Sequence, residues 1–115
     1  MSLQVNHTPT ATLVTLDGPN VDVRQSETLK SAFKSLVTAG MPPVIIDANQ
    51  VMFVDSAGLG VFLFIKRLCD QNSIHIAMCA LQPQFAQLAA LTNLSRAVSL
   101  YDTLDDALAA VPVAE

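Results

Sequence analysis

The chain has 115 residues, of which 51% are apolar and 14% are charged. This length holds one domain, which we expect to span residues 1–115, and the apolar content excludes a disordered protein. The net charge of −4, without any basic block, argues against direct binding of nucleic acid. The longest apolar run covers residues 59–65, far short of the ~20 residues that span a bilayer, and the first residues lack a signal-peptide pattern. We therefore expect a cytoplasmic protein without membrane insertion.

Hydrophobic periodicity predicts an alternation of strands and helices. In chain order these are strands 3–7 and 12–16, helix 22–38, strand 44–46, helix 56–71, strand 74–80, helix 83–91, strand 97–100 and helix 103–111. A strand pair followed by repeated strand–helix units is typical of an α/β fold. The sequence thus predicts a mixed sheet of four to five strands, flanked by about four helices.

The apolar residues of these elements define a predicted core. Val44, Ile45 and Ile46 form a short continuous apolar run, which is typical of a central strand buried on both faces. Asp22 or Ser26 is expected to cap the first helix. The helical residues expected in the core are Leu29, Phe33, Leu36, Val61, Phe62, Ile65 and Leu68.

The chain has few residues suited to metal or redox chemistry. Cys69 and Cys79 have no metal-binding spacing, so two buried, reduced thiols are expected. His7 and His75 are the only histidines, and neither can be placed beside a nucleophile from the sequence. Phosphate-loop and nucleophile-elbow motifs are also absent from the sequence. We expect no metal, no cofactor and no enzymatic activity.

The most informative segment joins the buried strand to the second helix. Asp55 or Ser56 can cap this helix, and a helix N-terminus also tolerates a phosphate. Gly58 and Gly60 lack side chains, which leaves the backbone open to close approach by another molecule. By themselves, these residues fit an ordinary capped helix with tightly packed glycines better than a binding site.

The longer segment Asp55-Ser56-Ala57-Gly58-Leu59-Gly60 resembles the Asp-Ser-(Ser/Thr)-Gly-Leu-Gly signature of the STAS family of anti-sigma factor antagonists. Phe53 and the run 44–47 precede it, as the third strand does in that family. Gly18, Asp22 and the run Glu27-Thr28-Leu29 are similar to the family's loop between the second strand and the first helix. The resemblance extends along essentially the whole chain and implies the STAS fold. Two departures are Ala57, which replaces a second hydroxyl residue, and a loop at 18–22 that is one residue longer.

The resemblance also implies a partner-switching function. In this family the serine that matches Ser56 is phosphorylated by an anti-sigma factor that is also an ATP-dependent serine kinase. The unphosphorylated antagonist binds the anti-sigma factor and releases the sigma factor, and a PP2C-type phosphatase reverses the modification. We therefore expect Ser56 to be the phosphorylation site of a monomer or weak dimer that regulates transcription.

The second helix offers a candidate binding surface on the side opposite its predicted core face. At about 100° per residue, Leu59, Leu63, Lys66 and Asp70 share that side. These leucines are expected to be exposed contacts, unless a neighbouring helix or loop covers them. The complete predicted partner-binding set is Asp22, Asp55, Ser56, Gly58, Leu59, Leu63 and Lys66.

Two alternative functions remain open at this point. The same helix face could dock a transporter ATPase, which would make the chain a STAS regulatory subunit of a membrane transporter such as a lipid-transport ABC complex. A scaffold of a stress-signalling assembly is the other alternative, although such scaffolds usually carry an additional N-terminal module.

Overall fold

A computed structural model describes residues 2–111, so residue 1 and residues 112–115 of the predicted domain lie outside the described part. The strands are β1 Leu3–His7, β2 Thr12–Leu16, β3 Asn20–Val21, β4 Val44–Asp47, β5 Phe53–Val54, β6 Ile76–Cys79 and β7 Ser99–Tyr101. The helices are α1 Val23–Leu36, α2 Ser56–Gln71, α3 Pro83–Leu91, α4 Leu94–Ala97 and α5 Leu104–Ala110. The predicted alternation of strands and helices is confirmed.

The main sheet contains five strands in the order β1-β2-β4-β6-β7. β1 pairs antiparallel with β2, and every other neighbouring pair is parallel. Val44, Ile45 and Ile46 of β4 lie at the centre of this sheet and are fully buried. The predicted mixed sheet and its central strand are therefore confirmed.

Helices cover both faces of the sheet. The larger core cluster joins one sheet face to α1, α2, α3 and α4, and a smaller cluster joins the other face to α5 through Ala107. Five of the predicted helical core residues are buried: Leu29, Phe33, Val61, Phe62 and Ile65. Leu36 and Leu68 are half-buried and pack against the edge of the larger cluster. Within residues 2–111, every helix falls short of the length and apolarity that a membrane crossing requires.

The structure differs from two predicted strand boundaries and adds one short helix, α4, to the four predicted helices. α4 was not predicted because four residues are too few to display a helical period, and it includes Ala97, so β7 begins only at Ser99. β6 begins at Ile76 instead of residue 74, because residues 72–74 terminate α2. There the Ile74 N–H donates to the Cys69 carbonyl over 2.8 Å, while Ser73 adopts a left-handed φ of 57°.

Candidate functional site

Ser56 is the first residue of α2 and is exposed. Asp55 precedes it as the N-cap, and its Oδ1 accepts a hydrogen bond from the Gly58 N–H over 2.9 Å. Of the two capping residues considered, Asp55 therefore satisfies the free amide, which leaves Ser56 facing outward beside it. Ser56 is thus a solvent-exposed residue at the first position of a capped helix.

A short parallel ribbon, formed by β3 and β5, holds this helix start in place. Asn20 pairs with Phe53 and Val21 with Val54, and the Pro19 carbonyl accepts the Met52 N–H over 2.7 Å. Since β3 leads directly into α1 and β5 into α2, their parallel register sets the beginnings of the two helices side by side. The ribbon was not predicted, because two-residue strands carry no periodic signal.

Asp22 occupies the corresponding N-cap position of α1. The sequence offered Asp22 or Ser26 for this position, and the structure selects Asp22. Its Oδ1 accepts from the Arg24 N–H over 2.9 Å, and the Gln25 side chain accepts from the Asp22 N–H, which completes a capping box. The Arg24 guanidinium lies 3.0 Å from Asp22 Oδ2 and holds the pKa of that carboxyl below its usual value. Asp22 and Asp55 thus cap the two helix starts that the ribbon sets side by side.

The second edge of β5 is closed by a side chain. Gln84 Oε1 accepts the Val54 N–H over 2.9 Å, and Gln84 Nε2 donates to the Val54 carbonyl over 2.8 Å. The Gln84 amide therefore takes the place of a neighbouring strand. Gln82 adds a bond of 2.6 Å from its Nε2 to the Asn49 carbonyl, so the start of α3 fastens the whole segment that leads to Ser56.

The two glycines of the motif have different surroundings. A Cβ added at Gly58 would lie 2.0 Å from the Val21 carbonyl oxygen and 2.9 Å from Val54 Cγ1. The close approach that we expected a partner to make at Gly58 is therefore made by the chain itself, and the expectation that this buried residue is open to a partner is corrected. A Cβ added at Gly60 would meet no described atom within 4 Å apart from its chain neighbours and the backbone of its own helix, and that residue is exposed.

The predicted contact stripe on α2 is less exposed than the helical wheel indicates. Leu59 and Leu63 are half-buried and pack against the edge of the larger core cluster. Lys66 is also half-buried, and its Nζ lies 2.7 Å from Asp70 Oδ1. A helical wheel takes no account of neighbouring elements, and α2 packs against both α1 and α4.

Three exposed apolar residues near the site were not predicted as contacts. Met52 is 54% exposed, Phe53 46% and Val23 70%. All three belong to the segments that the ribbon joins, immediately before or at the helix starts. The alternation of side chains along a strand would have placed Phe53 on the outer face and Val54 on the inner one. The sequence pattern, however, indicates this segment only as the connection between a strand and a helix. We call Val23, Met52 and Phe53 the apolar rim.

The two thiols are unreactive, and the ionisable residues that the structure describes are not grouped for metal binding. Cys69 and Cys79 are free and buried, and burial raises the pKa of each thiol to about 11. Both therefore stay protonated at neutral pH and are poor nucleophiles. In the part of the chain that the structure describes, no group of three or more His, Cys, Asp or Glu residues has a geometry that could hold a metal ion.

Known proteins resemble this chain in sequence and in fold. An anti-sigma F factor antagonist of Paenibacillus polymyxa is 29% identical over 70 residues, which cover 61% of this chain and 60% of that protein, less than two thirds of its length. The crystal structure of an anti-sigma factor antagonist from Mycobacterium paratuberculosis is 27% identical, with a TM-score of 0.83 over 96% of this chain and 92% of that chain.

Two further structures share the fold at lower identity. The phosphorylated form of the Bacillus cell fate determinant SpoIIAA has a TM-score of 0.69 at 17% identity, covering 94% of this chain and 97% of that chain. The murine anion transporter Slc26a9 has a TM-score of 0.77 at 15% identity, covering 90% of this chain and 18% of the transporter. The fold therefore occurs in regulators and in transporters alike. Residues 2–107 match the family model of the STAS domain, and the chain belongs to the STAS domain family.

Proposed function

We propose that this chain is an anti-sigma factor antagonist whose binding to an anti-sigma factor is switched by phosphorylation of Ser56. The observation that carries the proposal is the exposed Ser56 at the start of α2, on a segment fastened from both sides by β3 and Gln84. Relatives named as anti-sigma factor antagonists support this choice over the transporter and scaffold alternatives. The proposed partners are an anti-sigma factor with serine kinase activity and a PP2C-type phosphatase.

The proposed contact surface consists of Ser56, its two flanking caps and the apolar rim. Asp22, Asp55 and Ser56 provide polar contacts at the two helix starts, and the rim provides apolar area beside them. A few exposed aromatic and apolar residues next to a polar site are typical of a protein-binding surface. Leu59, Leu63 and Lys66 extend this surface along α2 as half-buried neighbours.

Phosphorylation is expected to change the interface more than the fold. A phosphoserine adds about −1.5 to −2 charges at neutral pH, and the N-terminal amides of α2 favour a negative charge at that place. An acidic group of the partner about 4 Å away would be repelled by about 1 kcal/mol in water and about 4 kcal/mol at an effective dielectric near 20. Since about 1.4 kcal/mol is a tenfold change in affinity, such a contact is enough to release the partner.

The direct test is phosphorylation by the cognate kinase with ATP, followed by mass spectrometry. We expect one phosphate on the wild-type chain and none on Ser56→Ala. Ser31→Ala, which removes another exposed serine on α1, is the matched control and should be phosphorylated like the wild type. Normal incorporation of phosphate into Ser56→Ala would refute the proposed switch.

A binding assay tests the surface separately from the modification. Phe53→Asp should weaken binding of the anti-sigma factor at least tenfold, because it places a charge in the apolar rim. Leu91→Asp is the control, since Leu91 is 79% exposed on α3 and lies outside the proposed surface. Leu63→Glu is a poorer probe, because Leu63 packs against the core and its loss would also destabilise the fold. Equal binding by Phe53→Asp and the wild type would show that the apolar rim is not part of the interface.

A pull-down from the native cell distinguishes the alternatives by the partner recovered. We expect a kinase-like anti-sigma factor with the wild-type chain and less of it with Ser56→Asp. Recovery of a transporter ATPase in its place would contradict the proposed function and support the transporter alternative.

A further inference from the structure

β1 forms one edge of the main sheet and pairs with β2 alone. Within residues 2–111, no other strand lies against its outer edge. Residues 4–7 are exposed. The other edge strand of the sheet is β7, at the opposite end of the strand order. An uncovered edge strand presents a row of main-chain donors and acceptors that another strand can pair with.

The register identifies which main-chain groups of β1 are free. At one end of the hairpin the Thr8 N–H donates to the Ala11 carbonyl over 2.9 Å, and at the other end the Asp17 N–H donates to the Ser2 carbonyl over 3.3 Å. Because hydrogen-bonded pairs alternate along an antiparallel ladder, the even-numbered residues of β1 direct their amides and carbonyls toward β2. The outward-facing amides and carbonyls therefore belong to Leu3, Val5 and His7.

We propose that β1 pairs antiparallel with β1 of a second copy of this chain, about a two-fold axis at Val5. In this register Val5 exchanges both main-chain hydrogen bonds with the second copy's Val5, and Leu3 does the same with the second copy's His7. These are the residues whose amides face outward, so the pairing uses every free group of the strand and needs no shift of the existing hairpin.

The composition of β1 favours a second copy as the occupant of this edge. Leu3–His7 contains no charged residue and no proline, so it lacks the features by which edge strands commonly avoid self-pairing. Val5, which is 39% exposed, would pack against the second copy's Val5, and Gln4 would face Asn6 as one amide side chain against another. No like charges meet directly across the axis.

The expected dimer is weak. A pair of five-residue strands buries less than the ~1,200 Å² of a standard protein interface, and each copy carries a net charge of −4. We therefore expect dimers only at high protein concentration, with a larger fraction in high salt, where the repulsion between the copies is screened.

Sedimentation equilibrium over a concentration series tests the proposal. The wild type should shift toward twice its monomer mass of 12.3 kDa as the concentration rises. Val5→Lys should remain monomeric, because two ammonium groups would face each other on the axis. Gln4→Lys adds the same charge one residue away, opposite an Asn, and should still form dimers. A wild type that stays monomeric up to its solubility limit, or a Val5→Lys variant that forms dimers like the wild type, would overturn the proposal.

Amide hydrogen exchange of the wild type gives a second measurement that does not depend on a variant. The amides of Val5 and His7 should become more slowly exchanging as concentration rises, whereas those of Gln4 and Asn6 should be protected at every concentration. Concentration-dependent protection elsewhere, with none at Val5, would indicate a different interface and refute this one.

Because the edge shares no residue with the Ser56 surface, Val5→Lys should accept phosphate like the wild type, so this test is independent of the proposed function.

Discussion

The start of α2 has a closed side and an open side, although the two are formed by neighbouring residues. Gly58 lies on the closed side, where the Val21 backbone and Val54 occupy the space that a side chain would need. Ser56 and Gly60 lie on the open side, where both are exposed. The difference indicates that the closed side packs the helix start against the rest of the chain, while the open side remains exposed to solvent. The following variants test this division, in order of decreasing effect on stability.

The largest effect is expected for Gly58→Ala. Its Cβ would lie 2.0 Å from the Val21 oxygen and 2.8 Å from the Val21 carbonyl carbon, which are main-chain atoms that cannot rotate away. Overpacking typically costs about 1–3 kcal/mol, and here the β3–β5 ribbon must also separate. We expect the free energy of unfolding, measured by urea denaturation, to fall by about 3 kcal/mol or more.

Gly60→Ala is the matched control for this variant. Apart from its chain neighbours and the backbone of its own helix, no described atom lies within 4 Å of the added Cβ, and alanine is the better helix former by up to about 1 kcal/mol. Stability should therefore be unchanged or slightly raised. If both glycine variants lost the same stability, the distinction between the two sides would be wrong.

Gln84→Ala should have the next largest effect. It removes both bonds to Val54 and leaves a buried N–H and C=O without their partner. Unsatisfied buried groups of this kind cost about 1–3 kcal/mol, so we expect a loss of about 2 kcal/mol in thermal or urea unfolding. Gln87→Ala, an exposed position on the same helix, should change little. Similar losses in the two variants would show that Gln84 does not act through Val54.

Asp55→Ala should cost about 1 kcal/mol, the usual effect of removing an N-cap. The Gly58 N–H, which Asp55 satisfies at 2.9 Å, would lose its acceptor. Asp55→Asn retains an oxygen at that position and should preserve most of the stability in the same urea titration. An equal loss in the asparagine variant would mean that the charge of Asp55, and not its capping bond, stabilises the helix.

Ser56→Asp should have the smallest effect on stability, within about 0.5 kcal/mol, because an acidic residue in the first turn of a helix is neutral or slightly favourable. The circular dichroism spectrum should also stay unchanged, while binding of the proposed partner, an anti-sigma factor, should weaken. A large loss of stability in this variant would mean that the open side contributes to the fold and is not free for recognition.

The sequence predicted the features that depend on periodicity and on residue type. The run Val44-Ile45-Ile46 predicted the central strand, since a strand covered on both faces needs apolar residues at every position. Asp55 followed by Ser56 predicted the capped start of α2, because the capping preference is local. Residues 55–60, which begin with these two residues, carried the resemblance to the STAS family, and the match over residues 2–107 confirms that family.

Only the tertiary structure decided which residues of the motif are accessible. The sequence could not distinguish Gly58 from Gly60, because the difference arises from Val21, which is 37 positions away in the chain. It also gave no sign of the β3–β5 ribbon or of the Gln84 bonds, since short strands and side-chain pairing have no periodicity. Local sequence thus determined where a helix starts and what type of residue stands there. Long-range packing determined which side of that helix start is filled by the chain itself and which stays exposed to solvent.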